Sequence, residues 1–263
     1  MMELPFVKYH GTGNDFILVE DGDGRWEYRL NKATIASLCD RHMGVGADGL
    51  MLLQRTGGYD FRMVYYNSDG GESTFCGNGS RCLVAFAHSL GWVGEEAWFV
   101  ASDGDHEARV LSHDRISVHM RSIAKVHPHG AGVVLDSGSP HYVTWVTDLD
   151  DMDLVERARR IRYDPEFRQD GINVNFIQES EQGLRIRTYE RGVEDETLSC
   201  GTGVTAAAIA WAREFADEGQ GTLAMTTKGG ELTVSWERGH YGFRHIWLTG
   251  PAKKVFQGIA FLS

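Results

Sequence analysis

Two stretches of the chain are apolar nearly all the way round a helical wheel: LVAFAHSL at 83–90 and VTAAAIAWA at 204–212. A helix without a polar face is a buried helix, so each predicts a core element rather than a surface one. Most of the remaining pattern is short and β-like. FRMVYY (61–66) and LRIRTY (184–189) are strand-forming runs that end near turn residues. Further strand signals fill 97–101, 107–111, 115–120, 131–136, 222–227, 231–236 and 243–248. Two more helices are expected. One, over about 32–41, is capped by Asn31 and stopped near Gly44; the other, over about 152–162, is capped by Asp151 and stopped before Pro165. Each half of the chain then reads as mostly strand with two helices, a strongly curved sheet wrapped about one buried helix. The stretch 121–130, with His127, Pro128, His129 and Gly130, is the linker candidate.

The two apolar helices belong to a longer repeat. Gly13-Asn14-Asp15-Phe16-Ile17 matches Gly138-Ser139-Pro140-His141-Tyr142, and Gly46-Ala47-Asp48-Gly49-Leu50 matches Gly171-Ile172-Asn173-Val174-Asn175, both at an offset of 125. Phe61–Asn67 aligns with Leu184–Glu190 at an offset of 123, and Cys76 with Cys200 at 124. Four matches in order at a near-constant offset are the mark of two copies of one domain.

Each copy places a cysteine just before its apolar helix, followed by Gly77-Asn78 in one and Gly201-Thr202 in the other. Such a thiol sits beside the unpaired first-turn N–H groups and the positive end of the helix dipole, which lowers its pKa. Turned into one cleft, these N–H groups form an anion site suited to a carboxylate, and the glycines let the backbone approach it. The sulfurs would then flank the adjoining carbon, one taking a proton as the other delivers one, with inversion. Cys39 and Cys82 read as buried hydrophobes.

Composition narrows the class. The 263 residues are 42 % hydrophobic with few prolines, enough for two domains of about 130 residues. A net charge of −11 argues against nucleic acid and anionic membranes as partners. No apolar run reaches the roughly 18–20 residues that span a bilayer, and the N-terminus shows no signal-peptide pattern. Four cysteines without an export signal read as reduced thiols of a cytoplasmic protein, and their spacing is not that of a zinc site.

KYHGTGNDF, DRHMGVGADGL, YYNSDGGESTFCGNGSRC, GSPHYV, GINVNF and YERGVEDETLSCGTG, in that order, resemble the successive motifs of the diaminopimelate epimerase family. The resemblance implies an α/β protein of the α+β type with two pseudo-symmetric domains and the active site in the cleft between them. The expected domains are 1–122 and 123–263, with the last strand, from about 253, returning to the first. It implies a cofactor-independent, metal-free isomerase that interconverts LL- and meso-2,6-diaminopimelate, in lysine and peptidoglycan precursor synthesis, and commonly acts as a homodimer. By position, Cys76 and Cys200 resemble the acid–base pair, with His141 and Glu190 tuning one thiol each. Asn14, Asn67, Gly77, Asn78, Asn173, Glu190, Arg191, Gly201 and Thr202 match the substrate-binding positions. Arg191 suits the distal carboxylate of the substrate and Glu190 its ammonium. The alternatives are another two-cysteine racemase of the proline or hydroxyproline type, or a non-catalytic amino-acid-binding protein. The chain departs from the family in two places: Ser139 replaces a more usual asparagine, and the loop 192–197 is one residue longer.

Overall fold

The computed structural model describes residues 2–73 and 75–262. In chain order its first elements are β1 (Met2–Gly11), β2 (Asn14–Glu20), α1 (Arg25–Arg29), α2 (Lys32–Cys39), β3 (Gly49–Gln54), β4 (Phe61–Asn67), β5 (Glu72–Ser73), α3 (Gly77–Ser89), β6 (Glu96–Ala101), β7 (Gly104–Ser112) and β8 (Arg115–Met120). There follow β9 (His127–His129), β10 (Gly132–Asp136), β11 (Pro140–Trp145), α4 (Leu154–Arg162), β12 (Asn173–Ser180), β13 (Gly183–Glu190), β14 (Asp195–Thr197), α5 (Gly201–Phe215), β15 (Gly219–Thr227), β16 (Gly230–Gly239), β17 (Gly242–Pro251) and β18 (Lys253–Leu262). The chain divides into two compact units, residues 1–118 with 250–263, and residues 119–249.

Within the first unit β1 and β2 form a hairpin, β3 joins β2 in parallel after α2, β4 returns antiparallel, and β6 runs parallel to β4 after α3. The second unit repeats this order: β10–β11 antiparallel, β11–β12 parallel after α4, β12–β13 antiparallel, and β13–β15 parallel after α5. The parallel pairs follow from the helices, because only a crossover connection can return a chain in the same direction. β3 is buried along its whole length, which explains why its sequence, GLMLL, shows no alternation. In each unit the central helix is the one predicted from its all-round apolar pattern. Leu83–Ala87 of α3 and Val204–Ala210 of α5 are buried, as is Cys82.

The outer helices pack on the other face, α2 with Ile35, Leu38 and Cys39, and α4 with Leu154 and Ala158. Asn31 caps α2 by accepting the Thr34 N–H at 3.0 Å. α4 begins later than its sequence predicts. Asp153, not Asp151, is its cap, accepting the Glu156 N–H at 3.0 Å, while Asp151 lies in the turn that starts at Asp148. The Asp-x-x-Glu spacing places the cap at 153. α1 was not foreseen: the Asp21 carboxylate takes the N–H groups of Trp26 and Glu27 from a distance in sequence. The expected linker also carries β9, paired with β10, where an edge position tolerates Pro128.

Candidate active site

Cys76 is the N-cap residue of α3 and Cys200 that of α5. Both are extended, with φ/ψ of −125/113° and −118/113°, and neither side chain caps its helix. The same backbone thus presents each sulfur beside first-turn N–H groups that have no partner within the helix. All four cysteines are thiols. Burial pushes Cys39 up to about 11 and Cys82 up to about 12, which removes both from acid–base chemistry near neutral pH.

In the first unit the β1–β2 hairpin turns through Thr12 and Gly13, with φ of 51° and 84°. Two successive positive φ values make the tight hairpin turn that fits strand twist, and glycine accepts its position without strain. This turn delivers Asn14 to Cys76, with its Oδ1 3.8 Å from the sulfur and 3.4 Å from Asn78 Nδ2. The orientation of Asn14 is fixed from behind, because its Nδ2 donates to the Asp48 carboxylate at 2.5 Å. Asp48 belongs to a charge cluster in which Arg41 bridges Asp15 and Asp48, and Lys8 pairs with Asp15 at 2.8 Å. Burial raises the Asp15 carboxyl, but hydrogen bonds from Arg41 and Lys8 outweigh it and hold the group down at about 2. Lys8 also donates to the Gly46 carbonyl.

Arg81 is fully buried one turn into α3. It donates to Gly77 O at 3.2 Å, Asn78 Oδ1 at 2.9 Å, Thr12 Oγ1 at 3.3 Å and Pro251 O at 3.4 Å. Its partners are all neutral oxygens, and burial brings the guanidinium down to about 10, still a cation at neutral pH. It ties the helix start, the hairpin turn and Asn78 into one body. Asn67 ends β4 opposite Gly49 and is exposed.

In the second unit the sulfur of Cys200 lies 3.5 Å from Thr202 Oγ1, which is 2.9 Å from His141 Nε2. His141 is fully buried on β11. Burial, then the Arg191 charge, bring it down to about 3, so it is neutral at physiological pH. Ser137 Oγ donates to Thr202 O at 2.8 Å and anchors the helix start from the β10–β11 turn, as Thr12 does in the other unit. A second cluster surrounds Asn173, the first residue of β12. Its Nδ2 donates to Ser139 Oγ at 3.0 Å and Pro140 O at 3.1 Å, while its Oδ1 accepts the Arg191 N–H at 2.8 Å. Arg191 Nη2 reaches Ser139 Oγ at 3.4 Å. Glu190, at the end of β13, accepts from Thr197 Oγ1 at 2.9 Å.

The two departures from the family pattern have visible consequences. Ser139 joins Asn173 to Arg191. The longer loop carries Glu194 at φ 58°, and its carboxylate binds Arg162, Tyr189 and the Gly192 N–H, which ties the loop down. The structure brings Cys76, Asn14 and Asn78 together, Cys200, Thr202 and His141 together, and Asn173 beside Arg191. Sequence reasoning missed Asp48, Arg81, Asn175 and Thr188. Arg81 had one available signal: it is the charged residue inside an otherwise apolar helix.

The chain is similar to known proteins over nearly its whole length. The sequence profile of the family described as diaminopimelate epimerase matches residues 6–126 and 133–255. The chain is 46 % identical over 257 residues to the diaminopimelate epimerase of Flavobacterium psychrophilum, covering 97 % of this chain and 99 % of that protein. It is 38 % identical to the Chlorobaculum tepidum enzyme of that name, with 94 % and 98 % covered. The fold is shared more widely. A Bacillus anthracis phenazine biosynthesis protein of the PhzF family superposes with a TM-score of 0.79 at 14 % identity, covering all of both chains. A probable proline racemase from Agrobacterium radiobacter gives 0.71 at 14 % identity, covering 99 % of this chain and 93 % of that one.

Proposed function

The chain belongs to the diaminopimelate epimerase family of isomerases, and on that premise we propose that Cys76 and Cys200 invert the α-carbon of LL- or meso-2,6-diaminopimelate by two-base proton transfer. One observation carries the reading. The same backbone conformation at the same point of two repeated units sets a thiol at the start of a buried helix. One thiolate removes the α-proton, and the other thiol protonates the opposite face. The carboxylate next to that carbon is held by the N–H groups of Gly77, Asn78, Gly201 and Thr202. Charge developing there in the enolate-like transition state is stabilised by these donors and by the two helix dipoles. Two thiols supply both acid and base, so the mechanism calls for no cofactor or metal.

Substrate choice rests on the second unit. Arg191 offers a guanidinium to the distal carboxylate and Glu190 a carboxylate to the distal ammonium, with Asn173 setting the Arg191 backbone. Asn14 and Asn67 complete the polar lining, and His141 acts on a thiol through Thr202. This two-ended recognition favours diaminopimelate over proline-type substrates, which lack a second charged end. The product feeds lysine and peptidoglycan precursor synthesis, a cytoplasmic setting supported by the four thiols. Among the described residues, no helix is long and apolar enough to cross a membrane.

A homodimer is part of the proposal. Val255, Ile259 and Phe261 project from one face of β18, each more than half exposed, and Pro5 of β1 extends this apolar surface. Incubation in deuterium oxide tests the activity. LL-diaminopimelate should gain α-deuterium on conversion to the meso form, and proline should gain none. Exchange into proline alone would overturn the assignment.

A further inference from the structure

The hydrogen bonds around His141 are anchored by a group that can play only one part. The Tyr142 carbonyl can only accept, and Asn175 Nδ2 lies 3.0 Å from it, so that atom is the amide nitrogen. Thr188 Oγ1, 3.0 Å from Asn175 Oδ1, donates to it and agrees with this orientation. The second Nδ2 proton then points to His141 Nδ1, also at 3.0 Å, which must accept it. A neutral imidazole that accepts at Nδ1 carries its proton on Nε2 and donates it to Thr202 Oγ1. The Thr202 hydroxyl proton is thereby directed away from His141, toward the Cys200 sulfur.

From this geometry we infer that Asn175 is a positioning residue: it locks His141 as the Nε2–H tautomer, so that Thr202 donates a hydrogen bond to the sulfur of Cys200 and favours its thiolate. The inference rests on the two-thiol reading above and extends it to residues outside the substrate-binding set. A hydrogen bond donated to the charged form stabilises that form. The device belongs to one unit only. The positions equivalent to His141, Asn175 and Thr188 in the repeat are Phe16, Leu50 and Tyr65, none of which can form such a chain. Arg191 acts on His141 electrostatically and disfavours an imidazolium, which keeps the tautomer question open to a single proton. Glu190, beside Arg191 in the chain, carries the opposite charge, and Arg121 reaches the Gly138 turn from the surface.

Nitrogen-15 NMR of histidine-labelled protein reads the tautomer directly in the unsubstituted chain. His141 should show a protonated Nε2 and an unprotonated Nδ1 from pH 6 to 8; a protonated Nδ1 would overturn the inference. The consequence is read by site-resolved alkylation with iodoacetamide across pH. Asn175→Leu should raise the alkylation midpoint of Cys200 by half a pH unit or more and leave that of Cys76 in place. Thr202→Val should do the same without changing the His141 tautomer. An unmoved Cys200 midpoint, or equal shifts at both cysteines, would contradict a directed hydrogen bond. α-Hydrogen exchange by the unsubstituted protein is scored separately, so a failed tautomer assignment is distinguishable from a failed function.

Discussion

His141 is a histidine whose surroundings refuse a proton. Burial and the Arg191 charge hold it at about 3, whereas an unfolded chain protonates it near 6.5. Between those values the unfolded state binds the extra proton, so stability is fully present above about pH 6.5 and falls as pH drops toward 3. His141→Asn removes that slope. Urea unfolding between pH 7 and 5 should show wild-type stability declining more steeply than that of the variant, and equal slopes would mean that His141 titrates normally. The cysteines were legible at this scale because two identical contexts flag each other. Asn14, Asn173 and Thr202 were legible through motif position. Asn175 and Thr188 were not, since a strand asparagine and threonine look alike whether they face water or an imidazole. Their role appears only when β11, β12 and β13 are set side by side.

At the scale of elements, the periodicity of the chain located the helices and strands through burial. All-round apolar stretches gave α3 and α5, and the Asn31 cap gave the start of α2. It failed where a long-range side chain sets the element, as Asp21 does for α1, or where two aspartates competed for one cap, as before α4. The start of α5 is tightly fitted. A Cβ on Gly203 would lie 2.6 Å from Asn175 Oδ1 and 3.4 Å from the Cys200 sulfur. Asn175 is fully buried and bonded on both sides, so it cannot move aside cheaply. Gly203→Ala should cost about 1–3 kcal/mol in denaturant unfolding, the range for overpacking a filled site. It should also lower turnover by displacing Cys200. A variant with unchanged stability and rate would show that the helix start is looser than these distances imply.

On the scale of the whole molecule, the sequence repeat became a repeat of strand order, down to the parallel step after each outer helix. The exposed apolar face of β18 had no such signature. Its alternation reads as an ordinary half-buried strand until its pairing with β1 fixes which side faces outward. Placing a charge there tests the proposed dimer. Phe261→Glu should shift sedimentation from dimer to monomer in the micromolar range, and an unshifted dimer would place the interface elsewhere. The central claim is that two thiols, one from each unit, handle the proton on opposite faces of one carbon. It is tested most directly by locating deuterium at low conversion of LL-diaminopimelate in deuterium oxide. Two bases predict label at the inverted carbon of the meso product, with the recovered LL substrate unlabelled; label entering substrate and product at equal rates would point to a single base and contradict the account.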